Sequence, residues 1–219
     1  LKKKMATLLN IETSTEVCSV NVSENGKLIA EKESLEGLNH SELLTVFIEE
    51  LFKNNNLEMK AIDAVAVAKG PGSYTGLRIG VSVAKGLCYA LEKPLIAIST
   101  LNAMGIFTSQ NPEQFHIEKN DDENLLFCPM IDARRMEVYT SLYSLAGRQL
   151  EPVSAKIIDE DSFSEKLKQS KIAFFGNGAA KCANALNHPN ALFKGPLKAS
   201  ARFMIKLAEE KYNKEEFEN

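Results

Sequence analysis

The sequence predicts an α/β protein made of two related lobes, each a mixed sheet flanked by helices. Short apolar runs that suit buried strands alternate along the 219-residue chain with longer amphipathic runs that suit helices. The order of these elements in the first half recurs in the second: a strand, a hairpin, a helix, a strand, a glycine turn and a helix. The repeat therefore lies in the order of the secondary-structure elements and not in the amino acids themselves.

The first half begins with a strand that ends in an acid, Glu12, and continues into a hairpin. Glu24-Asn25-Gly26 joins the two hairpin strands, and Asn-Gly is the strongest short signal for such a turn. Asn39 is predicted to cap the next helix, with Glu42 in capping-box spacing. The expected elements are strands 6–12, 17–23 and 27–34, a helix from 39 that ends at 54–56, a strand at 64–67, a long helix 74–92, a strand 95–99 and a helix 100–109.

The second half follows the same order from a strand that ends in Asp132. Leu145-Ala146-Gly147 joins its hairpin, and Glu165 gives a second capping box to a helix that begins near Ser162. Gly176-Asn177-Gly178 leads from a buried strand into another helix. The expected elements are strands 125–132, 137–144 and 148–153, a helix from about 162, a strand 171–175, a helix through 186 and a last helix 199–214.

These elements predict three segments. Residues 110–124 are polar, hold two adjacent aspartates and a proline, and are typical of a mobile linker. We expect an N-terminal lobe of residues 1–109 completed by 199–219. The C-terminal lobe is then formed by residues 125–198.

The two strand-end acids suggest where a ligand would bind. Lobes of this order resemble the actin-like (ASKHA) superfamily, in which a nucleotide lies between the lobes and an acid after each first strand faces its phosphates and metal. Glu12 and Asp132 stand at those two places. The candidate nucleotide or cleft residues are Glu12, Thr13, Ser14, Asp132 and Arg134. Structural hydrogen bonding is the alternative role for the two acids.

A glycine loop, Lys69-Gly-Pro-Gly-Ser-Tyr-Thr-Gly76, leads into the long helix. Gly70, Gly72 and Gly76 permit backbone angles that other residues resist, and free N–H groups at the helix start suit an anion or another backbone. The loop lacks the Gly-Lys-Ser/Thr ending of a Walker loop and the spacing of a dinucleotide fingerprint. A structural turn and a phosphate cradle are both consistent with it.

Composition limits the class of protein. Hydrophobic residues make up 44% of the chain, which allows a substantial core, and no apolar run reaches the roughly 18 residues of a membrane span. The net charge of −3 argues against a domain that wraps nucleic acid by itself, but permits contact with RNA inside a complex. The four cysteines stand far apart, which indicates free thiols in a reducing compartment. We expect a cytoplasmic protein without membrane contact.

Several stretches resemble the bacterial TsaB (YeaZ) family. The longest and most specific match is the glycine loop with the start of the long helix. The resemblance covers most of the chain and is weak at 110–124 and after Pro189. The matching stretches are Ile11-Glu-Thr-Ser-Thr15, His40-Ser-Glu-Leu-Leu44, Gly70-Pro-Gly-Ser-Tyr-Thr-Gly-Leu-Arg-Ile-Gly80, Ser99-Thr-Leu101, Asp132-Ala-Arg-Arg-Met-Glu-Val-Tyr139 and Gly176-Asn-Gly178.

The resemblance implies a role in making N6-threonylcarbamoyladenosine at position 37 of tRNAs that read codons beginning with A. In that system the catalytic transferase is the paralogue TsaD, and the ATPase TsaE joins the complex. A TsaB-like chain is then a scaffold and activator of TsaD, with no catalytic residue and no cofactor of its own. The resemblance also implies a homodimer in isolation, a heterodimer with TsaD, and contact with tRNA only within the complex.

The histidines bear on a different role, because older descriptions treat such proteins as glycoproteases. The transferase paralogue carries two metal-binding histidines four residues apart, and the matching positions here are Thr100 and Met104. His40, His116 and His188 are too far apart to share a helix turn, so no metal site is predicted. A glycoprotease-type metallopeptidase is the weakest alternative. A small-molecule kinase or ATPase of the same superfold is the stronger one.

The long helix is the main candidate for a partner surface. It carries two apolar stripes, whereas a surface helix of a monomer needs one of about 100°. Either both sides are buried within its own lobe, or the second stripe meets a partner; the resemblance favours a partner, since TsaB-like proteins pair through this helix and the one before it. The expected interface residues are His40, Leu43, Leu44, Phe47, Leu51, Tyr74, Ile79, Gly80, Val83, Gly86 and Ala90. Among them Ile79, Val83 and Gly86 form the stripe expected to face the partner.

Overall fold

The computed structural model of the protein describes residues 6–35, 37, 39–116, 124–195 and 197–218. The chain divides into two compact units. The first unit is Leu1–Thr100 with Ala199–Asn219, and the second unit is Leu101–Lys198. Each unit holds a mixed sheet of five strands flanked by helices, as the sequence predicted. Within the described residues, no helix is both long and apolar enough to cross a membrane.

The helices and strands follow each other in the predicted order in the first half and depart from it in the second. The strands are β1 Thr7–Glu12, β2 Cys18–Glu24, β3 Lys27–Ser34, β4 Ala64–Gly70, β5 Leu95–Ser99, β6 Leu126–Asp132, β7 Glu137–Ser144, β8 Gln149–Ile157, β9 Ile172–Phe175 and β10 Ala191–Phe193. The helices are α1 His40–Asn54, α2 Tyr74–Leu91, α3 Thr100–Gln110, α4 Ser164–Leu167 and α5 Ile205–Asn213.

The two sheets have the same strand order. It is β3-β2-β1-β4-β5 in the first unit and, with corresponding strands, β8-β7-β6-β9-β10 in the second. In each, the first strand pairs antiparallel with its hairpin partner and parallel with the strand that follows the helix. The duplication inferred from element order is therefore present in the sheets, including β10, which the sequence did not reveal.

The alternation of side chains along β1 and β2 explains how the first unit is layered. Leu9, Ile11, Val20 and Val22 point to one face and form a core with α1 and α2. The opposite face is polar but also buried: the Asn10 side-chain amide donates to the Asn21 side-chain oxygen at 2.8 Å and to Ser23 Oγ at 3.0 Å. On this face Ser19 Oγ accepts from the backbone N–H of Ala201 at 3.0 Å, so the C-terminal segment packs here.

The division between the units differs from the expected lobe boundary at residue 109. Residues 101–110 of α3 belong to the second unit because they pack on β7. The Tyr143 hydroxyl donates to the Asn102 side-chain oxygen at 2.7 Å, and a Cβ at Gly105 would overlap the Tyr143 ring. Of the expected linker, residues 112–115 form a 3₁₀ turn, and residues 117–123 lie outside the described residues.

One helix predicted for the second unit is short and another is wrong. The helix expected from about residue 162 is present as the single turn α4, but its capping box is wrong, because Ser162 Oγ bonds the Asp159 carboxylate at 2.7 Å. The helix expected through residue 186 is only a short 3₁₀ turn, 180–182. Its start is held to the sheet, since Gly178 donates its backbone N–H to Met130 O at 3.0 Å. The capping box at α1 is also wrong, because Asn39 makes no side-chain cap bond.

Candidate functional site

In the first unit, the loop after β1 packs directly on the glycine loop. Ser73 donates its backbone N–H to Ser14 O at 2.6 Å, and Thr13 Oγ1 donates to Gly76 O at 2.9 Å. Thr13 and Ser14 are both buried. These two segments were predicted separately from sequence. The fold places them in contact because β1 and β4 are adjacent parallel strands whose ends lie at the same edge of the sheet.

The glycines of the loop are required by this contact. A Cβ at Gly72 would overlap the Ser14 carbonyl oxygen, and a Cβ at Gly76 would overlap that of Thr13. Gly70 has φ +91°, a left-handed conformation that favours glycine. The side of the loop that faces Ser14 is thus filled by the protein's own backbone. This arrangement supports the structural turn over the phosphate cradle.

The Glu12 side chain is buried and hydrogen bonds within the first unit. It is 1% exposed, and its Oε1 accepts from the Ser14 backbone N–H at 2.7 Å. Thr100 Oγ1 in turn donates to Ser14 Oγ at 3.1 Å. Burial raises the pKa of the Glu12 carboxyl above its ordinary value, and the hydrogen bonds from Ser14 and Thr100 oppose that rise. The surroundings of Glu12 therefore disfavour its charged form.

His40 connects the loop after β1 to α1 and α2. It is 2% exposed at the start of α1, and its Nε2 lies 2.8 Å from Thr15 O. The same ring lies against Gly76 in the first turn of α2. His40 therefore has a positioning role inside the first unit, which the sequence did not indicate.

In the second unit, Asp132 is paired with a lysine that the sequence did not indicate. Its Oδ1 accepts from the Arg134 backbone N–H at 3.0 Å and bonds Lys181 Nζ, which also donates to Glu137 O at 2.7 Å. Partial burial raises the pKa of Asp132, but the hydrogen bonds from Lys181 and from the Arg134 backbone, together with the Lys181 charge, outweigh it, so the pKa lies below its ordinary value. Lys181 lies in the segment mispredicted as a helix, so no sequence pattern marked it.

The candidate cleft residues belong to both units. In the first unit Glu12 ends β1, and Thr13 and Ser14 follow it in the loop; in the second unit Asp132 ends β6, and Arg134 lies in the β6–β7 turn. Arg134 is exposed and adopts φ +71°, a left-handed conformation.

The two positions that match the paralogue's metal-binding histidines are buried. Thr100 is fully buried and hydrogen bonds Ser14, and Met104 is also buried. Across the residues that the structure describes, no three His, Cys, Asp or Glu side chains lie together where they could hold a metal ion.

Five of the expected partner residues do not lie on the surface. Leu44, Phe47 and Leu51 are buried in the core of the first unit, because this face of α1 packs on the sheet. Gly80 is buried against Thr13, and His40 is buried as described above. Those that are at least partly exposed are Leu43, Tyr74, Ile79, Val83, Gly86 and Ala90. Of these, Leu43, Ile79 and Val83 also pack on the core from its edge.

Comparison with known proteins gives the family. The family model described as TsaD, tRNA N6-adenosine threonylcarbamoyltransferase, matches residues 34–209. Two curated relatives are named tRNA threonylcarbamoyladenosine biosynthesis protein TsaB. The one from Haemophilus influenzae is 38% identical over 135 residues, 62% of this chain and 52% of the relative. The one from Bacillus subtilis is 34% identical over 147 residues, 67% of this chain and 59% of the relative.

A solved structure agrees along nearly the whole chain. The crystal structure of a Pseudomonas aeruginosa protein described as similar to the peptidase YeaZ has a TM-score of 0.80 at 25% identity, covering 98% of this chain and 95% of that one. The chain belongs to the TsaB (YeaZ) family. The family predicted from sequence is confirmed, and so is the fold class of two α/β units, each a mixed sheet flanked by helices. The match spans a little over half the length of the two curated TsaB relatives.

Proposed function

We propose that this TsaB-family chain is a non-catalytic subunit that binds and activates the TsaD transferase during synthesis of threonylcarbamoyladenosine in tRNA. Family membership supports this process, since its curated relatives carry the name of that biosynthesis. In the proposal TsaE joins the same complex, tRNA is contacted only within it, and the chain works in the cytoplasm without a cofactor. In isolation the chain forms a homodimer.

The state of the two strand-end acids carries the proposal. In a kinase or ATPase of the actin-like superfold these acids would have to face phosphates and metal. Here Glu12 is buried and accepts from Ser14, while Asp132 is paired with Lys181. A nucleotide site at either acid would have to break these contacts first, and an unpaired buried carboxylate is costly.

The contact between the glycine loop and Ser14 supports the same conclusion. The backbone N–H of Ser73 is already bonded to Ser14 O, and Gly72 lies against that same carbonyl. An anion bound there would have to displace this backbone contact. The first unit therefore uses its glycine loop to position α2, which is a suitable role in a protein that presents this helix to a partner.

Reconstitution tests the proposal. Purified TsaD, TsaE, tRNA and ATP with the substrates of the reaction are assayed for tRNA modification with and without the chain. We expect the chain alone to give neither modification nor steady ATP hydrolysis, and its addition to raise TsaD-dependent modification. ATP turnover by the chain alone that is lost in Asp132→Asn would instead support the kinase or ATPase alternative.

A further inference from the structure

The sequence contains two asparagine–glycine pairs, Asn25-Gly26 and Asn177-Gly178. This dipeptide is open to a reaction within the chain, in which the glycine nitrogen attacks the side-chain carbonyl carbon of the asparagine. Glycine permits the approach because it has no Cβ to obstruct it. In a folded protein both reacting groups must be free to move, so the hydrogen bonds at each pair control how fast it reacts.

The Asn25-Gly26 pair forms the tip of the hairpin between β2 and β3. Asn25 is half-buried and Gly26 is exposed. The Asn25 backbone N–H donates to Ala6 O at 3.0 Å. Neither the Asn25 side-chain amide nor the Gly26 N–H forms a hydrogen bond with the residues that the structure describes. The two reacting groups are therefore free, and they lie at a surface turn, where local opening costs least.

The Asn177-Gly178 pair is held by the sheet of the second unit. Asn177 Oδ1 accepts from the Asp132 backbone N–H at 3.0 Å, and the Gly178 N–H donates to Met130 O at 3.0 Å. Gly178 is also buried, and a Cβ there would lie 2.9 Å from Asp132 N. The same reaction at this pair would have to break both hydrogen bonds and move the chain within a packed region.

We infer that Asn25 is a site of spontaneous deamidation and that the fold protects Asn177 from the same reaction. The Gly26 nitrogen loses its proton to solvent and attacks Asn25 Cγ. The Cγ–Nδ2 bond breaks, and Nδ2 takes up a proton and leaves as ammonia, which closes a five-membered succinimide. Water then opens either carbonyl of the ring. The products carry an aspartate or an isoaspartate at position 25.

Both products change the environment of the hairpin tip. Each places a carboxylate next to Glu24 in a turn whose Gly26 lies against the Glu209 carboxyl, and like charges that lie close together are unfavourable. Isoaspartate also inserts one backbone carbon into the turn, which disturbs the pairing of Glu24 with Lys27. We therefore expect the modified chain to unfold at a lower urea concentration than the fresh chain.

Peptide mapping tests the inference on the full chain. The protein is incubated for several weeks in mildly alkaline buffer, digested at acidic pH and analysed by high-resolution mass spectrometry, with enzymatic methylation to identify isoaspartate. We expect Asn25 to react at least about tenfold faster than Asn177, because two buried hydrogen bonds must break at the latter. In guanidinium chloride, where the fold is lost, the two positions should react at similar rates.

Asn25→Gly is the matched control. Gly-Gly also suits the two-residue hairpin turn, and it removes the reacting amide. After the same incubation this variant should carry no modification at position 25. It should also unfold at the same urea concentration as before incubation, which separates the effect of Asn25 from other damage.

Equal rates at Asn25 and Asn177 in the folded chain, or a faster reaction at Asn177, would overturn the inference. A tenfold ratio that persists in guanidinium chloride would also overturn it, since neighbouring residues and not the fold would then set the rates. A wild-type chain modified at Asn25 that unfolds at the same urea concentration as the fresh chain would overturn the expected loss of stability. These measurements use neither TsaD nor tRNA, so their outcome is independent of the proposed function.

Discussion

At the scale of single residues, the Asp132–Lys181 pair has a measurable pH dependence. The pKa of Asp132 lies below its ordinary value of 3.8, so the pair stabilises the fold above that pH and loses its effect as pH falls through the lowered pKa. We expect Lys181→Met to lower the free energy of unfolding at pH 7, by less than about 1 kcal/mol because the Asp132 side chain is 49% exposed. The difference from wild type should shrink below about pH 4.

Urea unfolding at pH 3 and pH 7 measures this difference. The matched control is Lys168→Met, since Lys168 pairs with Glu165 at the surface of the same unit. We expect the control to have no measurable effect on unfolding. A difference between wild type and Lys181→Met that grows as pH falls would contradict the assigned pairing.

The contribution of Glu12 to stability changes with pH in the opposite direction. Burial raises its pKa above the ordinary 4.5, so the protonated form favours folding and that contribution is lost as pH rises through the raised pKa. Glu12→Gln keeps an oxygen that accepts from Ser14 and removes the titration. We therefore expect the stability of this variant relative to wild type to increase between pH 4.5 and pH 8. Thermal unfolding across this range measures it, and a relative stability that falls with pH would contradict the buried position of Glu12.

At the scale of elements, alanine substitutions at two glycines of α2 should change the stability of the protein in opposite directions. A Cβ at Gly80 would overlap Thr13 Oγ1, whereas one at Gly86 would meet nothing within 4 Å. Overpacking is expected to make Gly80→Ala less stable by about 1–3 kcal/mol. Gly86→Ala should gain about 0.5–1 kcal/mol, because alanine restricts the unfolded chain and favours the helix. Urea unfolding measures the stability of both variants, and each serves as the control for the other. Equal changes in stability would show that Gly80 does not pack on the loop.

The partner side of α2 is best tested at Gly86. Val83 belongs to the same expected stripe, but it also packs on the core of the first unit, so a charge there would disturb the fold as well as the surface. Gly86 is exposed and has open space above it. We expect Gly86→Glu to remain folded by circular dichroism and to lose capture of TsaD in a pull-down. A folded Gly86→Glu variant that still captures TsaD would place the partner surface elsewhere.

Elements with strong local signals were predictable from sequence. The Asn25-Gly26 turn, the apolar periodicity of α1 and the glycine loop before α2 all gave the correct element near the correct bounds. The second unit was harder to predict. Ser162 bonds to Asp159 within its own loop and does not cap a helix, while Gly178 donates to Met130 O of the neighbouring strand.

The candidate site was predictable only in part, for a similar reason. Glu12 and Asp132 follow from their places at strand ends, which depend on local sequence. Lys181 and His40 act through contacts with residues distant in sequence, Asp132 and Thr15. No spacing rule connects such pairs. The fold is needed to show them.

At the scale of the whole molecule, two sheets of the same strand order carry different local chemistry. The first unit buries its strand-end acid and uses the adjacent loop to hold α1 and α2, while the second pairs its acid with Lys181. This division fits a member of the TsaB family that keeps the two-lobed fold and contributes a binding surface. The central claim is that neither acid performs chemistry.

The measurement that tests this claim most directly is the rate of tRNA modification by reconstituted TsaD and TsaE with the Glu12→Gln/Asp132→Asn double variant. Both changes preserve shape and remove charge, so the surface formed by α1 and α2 is retained. We expect a rate within about twofold of the complex that contains the wild-type chain, since groups outside the chemistry contribute little to its barrier. A loss of about 100-fold or more, from a folded variant that still captures TsaD, would be of the size expected for removing a general acid or base and would contradict a non-catalytic role.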